Sequence, residues 1–193
     1  ASFDGYEDEV KSWGCKVFDL KMSPLELNPL KGLLLLRHFR NKFKLIQPDI
    51  ILSFTIKNNI VGSIAANLER IPLVPNITGL GTAFTSGRLL KLIATILYRI
   101  AFTNHEIIFF QNPDDKSLFQ NLGIASSKKA FVLPGSGIDL GEFKFHKLHN
   151  DDNPLFVMIS RLIKDKGAEE FLDATRIVKK RYPHANFIIV GSH

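Results

Sequence analysis

The residues best placed by type and spacing to do chemistry are Arg161 and Lys166. An apolar run, 155–159, stops at Ser160-Arg161. Lys166-Gly167 follows, and then a pattern with apolar residues at 168, 171, 172, 174 and 178. That order reads as strand, short loop and helix start. In a parallel sheet, ligands gather at the loop after the carboxyl end of a strand. A helix start at that place attracts anions, because its free N–H groups and its dipole point at them. Arginine adds a planar fork for phosphate oxygens, and lysine a mobile point charge. The combination suits a diphosphate clamp. On charge and spacing alone a rival reading stays open, in which both cations are solvated loop charges.

The composition permits such a site. The chain has 193 residues, more than one typical domain and fewer than two full ones. Its apolar fraction of 45% is ample for a buried core and argues against disorder. A net charge of +6 and a pI near 9.4 point to anionic partners: nucleotides, phospholipid head groups or nucleic acid. The single cysteine, Cys15, excludes an internal disulfide and fits a reducing compartment. We read it as a small packed apolar residue. No apolar run approaches the ~20 residues that span a bilayer, and no signal-peptide pattern is present. No Cys/His cluster has metal-ligand spacing, and no Ser/His/Asp signature stands out.

The elements that must position these residues alternate. Residues 6–13 read as the tail of a helix ended by Gly14, and 16–20 alternate like a strand. Asn28-Pro29 starts a helix over 30–46, with an apolar stripe of Leu33, Leu34, Phe39, Phe43 and Ile46. Residues 50–54, apolar except for Ser53, read as a strand covered on both faces. A helix follows over 58–70 and a strand over 72–77, leading into the glycine-rich loop 78–82. A long apolar helix, 88–102, precedes a strand over 107–110 that ends at Gln111-Asn112. Pro113 opens the next helix, with Asp114 and Asp115 suiting its dipole and Gly123 ending it. A strand over 130–133 gives way to Pro134-Gly135-Ser136-Gly137. After the polar stretch 146–153 come the strand before Arg161, its helix to Tyr182 and a last strand over 185–190. Strands and helices alternating at this spacing mean an α/β fold with a parallel sheet. The polar stretch divides the chain into a sheet domain, 1–150, and the beginning of a second, 151–193. Two strands and one helix cannot bury both sheet faces, so this second domain is expected to be truncated.

A resemblance sharpens the reading. Thr78-Gly79-Leu80-Gly81, then 109–115 (FFQNPDD), then Leu133 to Phe143 with its PGSGID core, then Ser160-Arg161-Leu162 with Lys166-Gly167, occur in one order. Together they resemble the retaining glycosyltransferases of family 4, which have the GT-B architecture of two Rossmann-type domains. The similarity is greatest to members that extend lipid-linked sugars in bacterial surface polysaccharide pathways.

The resemblance implies an amino-terminal domain that binds the acceptor and a carboxy-terminal domain that binds a nucleotide sugar. Arg161 and Lys166 match the family's basic pair on the donor diphosphate. Ser160, Gly167, Gly135 and Gly137 would lie on the donor and cleft side, with an ordinary tight turn as the alternative for the last two. Thr78, Gly79, Gly81, Gln111 and Asn112 would lie on the acceptor side, with turn geometry and helix capping as alternatives. The implied substrates are a nucleotide sugar and a lipid-linked saccharide; no cofactor, metal or nucleic acid is implied. The implied location is cytoplasmic and peripheral on the inner face of the plasma membrane. Helix 88–102 carries Arg88, Lys91 and Arg99 beside its apolar residues, which suits an interfacial helix or one buried against the sheet. Two departures weigh against full transfer of the family's roles. Leu52 and Phe54 stand where many relatives have histidines. The family's first glycine-rich loop would precede Ala1, and its glutamate pair would follow His193. The chain is therefore expected to be cut at both ends and inactive by itself. Three rivals remain: a non-catalytic nucleotide-sugar binder; a dinucleotide-dependent enzyme, for which no G-x-G-x-x-G is present; and a nucleic-acid module, against which the 16 Phe fall mostly at core positions.

Overall fold

A computed structural model describes residues 5–20, 29–85, 87–147 and 153–191. The chain falls into two compact units, Ala1–Gly137 and Ile138–His193.

The first unit is a parallel sheet in the order β1-β2-β3-β4. Its strands are β1 (Ile51–Phe54), β2 (Leu73–Ile77), β3 (Ile108–Phe110) and β4 (Ala130–Val132). Parallel neighbours need long crossovers, and helices supply them. The helices are α1 (Glu7–Ser12), α2 (Pro29–Ile46), α3 (Ser63–Glu69), α4 (Thr82–Thr85), α5 (Arg88–Ala101) and α6 (Pro113–Asn121). A π-helical turn, Asn58–Gly62, leads directly into α3. The main core joins Ile77, Ile108 and Phe110 of the sheet to Tyr98, Phe102 and Phe119. Tyr98 and Phe119 meet edge to face with centroids 4.9 Å apart, and Phe110 meets Phe119 in the same way at 5.3 Å. A second cluster packs Phe39 and Phe43 of α2 on Ala65, Ala66 and Leu73.

Several local expectations change. The buried face of α2 is Leu35, Leu36, Phe39 and Phe43, whereas Leu33, Leu34 and Ile46 are exposed. A helix so rich in leucine has apolar residues on several faces, and packing on α3 selects one of them. β1 is an edge strand rather than one covered on both faces: Ser53 is buried, while Leu52 and Phe54 are exposed. Residues 15–20 form no ladder, since alternation without a hydrogen-bonding neighbour does not make a strand. Leu20 nonetheless packs beside Phe39 and Phe43. Cys15 is exposed, not packed. The helix-start residue Asn28 and part of the polar stretch 146–153 lie outside the described residues.

The second unit pairs β5 (Leu155–Ile159) with β6 (Asn186–Val190) in parallel, and α7 (Ala168–Arg181) crosses between them. Phe187 stacks on Phe156 at 5.0 Å and meets Phe171 of α7 edge on at 6.0 Å. Leu155, Val157, Ile159, Ile188 and Val190 are exposed.

Candidate functional site

The predicted residues occupy the carboxyl edges of the two sheets. In the first unit the register pairs Phe54 with Asn76, Ile77 with Phe110, and Phe110 with Val132. The loops that follow those residues therefore leave one edge. Thr78 is exposed there. Gly79 has φ of 156°, and Gly81 has φ of 56°. A β-carbon on Gly81 would lie 2.6 Å from Cδ1 of Ile56, so the chain after β2 touches the chain after β1, and the left-handed φ of Gly81 favours glycine there. The Gln111 amide donates to the Ile77 carbonyl at 3.3 Å, which ties the loop after β3 to the end of β2.

Asn112 caps α6. Its Oδ1 accepts from the Asp115 amide at 2.8 Å, and its Nδ2 donates to Oδ2 of Asp115 at 2.9 Å. Its amide is engaged at both ends by the helix start. Gly135 and Gly137 have φ of 88° and 72°, and a β-carbon on either would meet nothing within 4 Å. Their glycine requirement is the left-handed turn, not a close approach.

Sequence reasoning gives no role to the buried polar residues near this edge. Thr55, directly after β1, adopts φ of 71°, and the π-helical turn begins at Asn58. Such strain and such turns concentrate at functional sites. Nδ2 of Asn59 donates to the Asn76 carbonyl at 2.9 Å. Among the described residues, Ser53 Oγ, Asn59 Oδ1 and Asn76 Oδ1 are buried and meet no hydrogen-bond partner. The available signal was Asn76 interrupting an apolar strand.

In the second unit the predicted strand, loop and helix start are in place, with a 3₁₀ turn, Lys164–Lys166, inserted before α7. The Ser160 amide donates to the Val190 carbonyl at 3.1 Å, extending the β5–β6 ladder. Gly191 presses on this bend: a β-carbon there would lie 1.8 Å from the Ser160 carbonyl oxygen, so only glycine is tolerated. Arg161 follows the bend and is exposed. Lys166 ends the 3₁₀ turn, and Gly167 caps α7 in the left-handed conformation with φ of 78°. The first turn of α7 carries Glu169 and Glu170, and Lys164 lies 3.7 Å from Glu169. The helix dipole is thus partly complemented by the chain's own carboxylates. Arg161 and Lys166 have no ion-pair partner among the described residues, which leaves them as the groups that can meet an anion. Among the described residues no three His, Cys, Asp or Glu side chains gather as metal ligands.

His105 is structural. It is buried, lies 2.7 Å through Nε2 from Ser63 Oγ, and packs on Phe102. Two cavities, of about 340 and 200 Å³, border α2, and none of the predicted site residues lines either of them.

Comparison with known proteins turns this geometry into a family assignment. The family described as Glycosyl transferase 4-like matches residues 3–112. The chain belongs to this family. Two curated relatives match 97% of the chain. One is the N,N'-diacetylbacillosaminyl-diphospho-undecaprenol alpha-1,3-N-acetylgalactosaminyltransferase of Campylobacter jejuni. It is 27% identical over 97% of this chain and 54% of its own length. The other is the capsular polysaccharide biosynthesis glycosyltransferase CapM of Staphylococcus aureus, 25% identical over 97% of this chain and 50% of its own. The chain spans about half the length of both. Among solved structures, Anabaena Alr3699/HepE in complex with UDP-glucose superposes with a TM-score of 0.71 at 20% identity, over 98% of this chain and 50% of that one. S. aureus MnaA with UDP gives 0.59 at 16% identity, over 95% and 50%. These likenesses bear out the α/β, GT-B-like fold class expected of a glycosyl transferase 4-like chain.

Proposed function

We propose that this chain is the portion of a retaining glycosyltransferase in which Arg161 and Lys166 receive the diphosphate of a nucleotide sugar. The observation that carries the reading is the two cations, without carboxylate partners among the described residues, after the carboxyl end of β5 in a chain of this family. In the reaction, the bond from the anomeric carbon to the diphosphate oxygen breaks and a bond to an acceptor hydroxyl oxygen forms. The acceptor proton passes to the departing phosphate. Negative charge grows on the diphosphate as it leaves, and a guanidinium and an ammonium at that place lower the barrier. The relative named for a diphospho-undecaprenol substrate supports a lipid-linked saccharide as acceptor. The loop edge at Thr78, Gly79, Gly81 and Gln111 is the surface we assign to it. Donor, acceptor and the remaining groups that hold them require the other half of the relatives' length, so the 193 residues alone are expected to give no turnover.

The test is donor turnover in protein of the relatives' full length. Arg161→Ala and Lys166→Ala should each lower kcat/KM roughly 100-fold, within the range for loss of one charge-stabilising group. Near-normal rates without either cation would remove the proposal, as would turnover of any nucleotide sugar by the 193-residue chain.

A further inference from the structure

A side chain, not a backbone amide, completes the end of β2. The Ile51 amide donates to the Pro72 carbonyl at 2.9 Å, on the side of β2 that faces β1. Carbonyls on one side of a strand recur every second residue, so those of Val74 and Asn76 face the same way. Continued by one more bond, the ladder would bring the Thr55 amide to the Asn76 carbonyl. Thr55 turns away instead, with φ of 71°, and Nδ2 of Asn59 donates to that carbonyl at 2.9 Å. Asn59 is 1% exposed, and its own amide donates to the Thr55 carbonyl at 2.8 Å. The next carbonyl of β2, that of Ile77, accepts from the Gln111 amide on the opposite side. Thr78 follows at once. The last two carbonyls before the glycine-rich loop are thus held from opposite flanks, and the flank toward β1 depends on one side-chain amide.

We infer that Asn59 is a positioning residue for the acceptor, because it fixes the direction in which residues 78–81 leave the sheet. With Gly79 and Gly81 two residues apart, that loop has wide backbone freedom, so its course depends on how its first residue is aimed. The aim is set by the Asn76 and Ile77 carbonyls and by the contact of Gly81 with Ile56. Stability alone does not account for Asn59. Among the described residues its Oδ1 is buried and meets no hydrogen-bond partner, which offsets what its one donated bond contributes. The left-handed Thr55 and the π-helical turn that bring Asn59 to β2 carry costs of their own. What the arrangement gives in return is a fixed exit for the loop. The inference rests on the reading of this edge as the acceptor surface, and its tests separate the failure of one from the failure of the other.

The first test needs no substrate. In the 193-residue chain, Asn59→Ala should move the backbone amide resonances of residues 78–81. Ser63→Ala removes a buried hydroxyl bonded to His105 from the same helical stretch and should leave those resonances in place. Unmoved 78–81 resonances in Asn59→Ala would overturn the inference. The second test measures binding by protein of the relatives' full length, with undecaprenyl diphosphate in detergent micelles as the acceptor probe and UDP as the donor probe. Asn59→Ala should raise Kd for undecaprenyl diphosphate about tenfold and leave Kd for UDP within about twofold. Ser63→Ala should leave both within about twofold. Equal weakening by Ser63→Ala would overturn the inference, because the effect would then follow general stability. Thr78→Ala, on the loop itself, is the reference. Weaker undecaprenyl diphosphate binding in Thr78→Ala but not in Asn59→Ala would overturn the inference and leave the acceptor reading standing. No binding by the parent, or no effect of either variant, would remove the acceptor reading and the inference with it. Should Asn59→Ala not fold, Asn59→Ser is too short to reach the carbonyl and should give the same changes.

Discussion

His105 shows how one buried side chain ties stability to pH. It is 2% exposed, bonded to Ser63 and packed on Phe102. Burial, with a smaller contribution from the nearby charge of Lys129, lowers its pKa from 6.5 to about 4. The folded protein therefore keeps a neutral imidazole where the unfolded chain would take up a proton. Stability from this residue is fully present above about pH 6.5 and is lost as pH falls toward 4, by up to about 3 kcal/mol. Urea unfolding between pH 7 and 4 should show this decline, and His105→Gln should flatten it. Site residues resist such direct reading. Arg161 and Lys166 are candidates because cations beside a strand–loop–helix stand out in sequence. Gly191, which permits the bend at Ser160, looks like any glycine ending a strand. Its necessity comes from a backbone atom of another strand, which no local pattern reveals.

At the scale of elements, the helices and strands follow their signals closely. Pro113, Asp114 and Asp115 open α6 as composition suggests, and Asn112 supplies the cap. The misreadings share one cause: apolar pattern is necessary for an element but does not choose its partner. α2 offers leucines on several faces, and contact with α3 selects the face of Leu35 and Phe39. Residues 16–20 alternate but have no strand beside them among the described residues. β5 and β6 do pair, yet they form a two-stranded sheet with Val157, Ile159, Ile188 and Val190 exposed. Such a sheet is marginal in water. In the 193-residue chain, amide exchange should therefore be much faster in β5 and β6 than in β2 and β3, whose side chains are mostly buried. Equal protection in the two sheets would contradict this account.

Across the whole molecule, the α/β class and family were legible because alternation and motif order survive divergence. The burial of Ser53, Asn59 and Asn76 was not, since it comes from packing of three separate segments. The outer rim of β1 carries a further consequence. It lies at the end of the strand order, with Leu52 and Phe54 exposed beside it, so its backbone donors and acceptors face no ladder among the described residues on that side. Such a rim is a template for any extended peptide that meets it. Concentrated samples should accordingly associate by strand addition into ribbon-like species, and a lysine in place of Leu52 should slow their growth, as followed by light scattering and amide infrared bands.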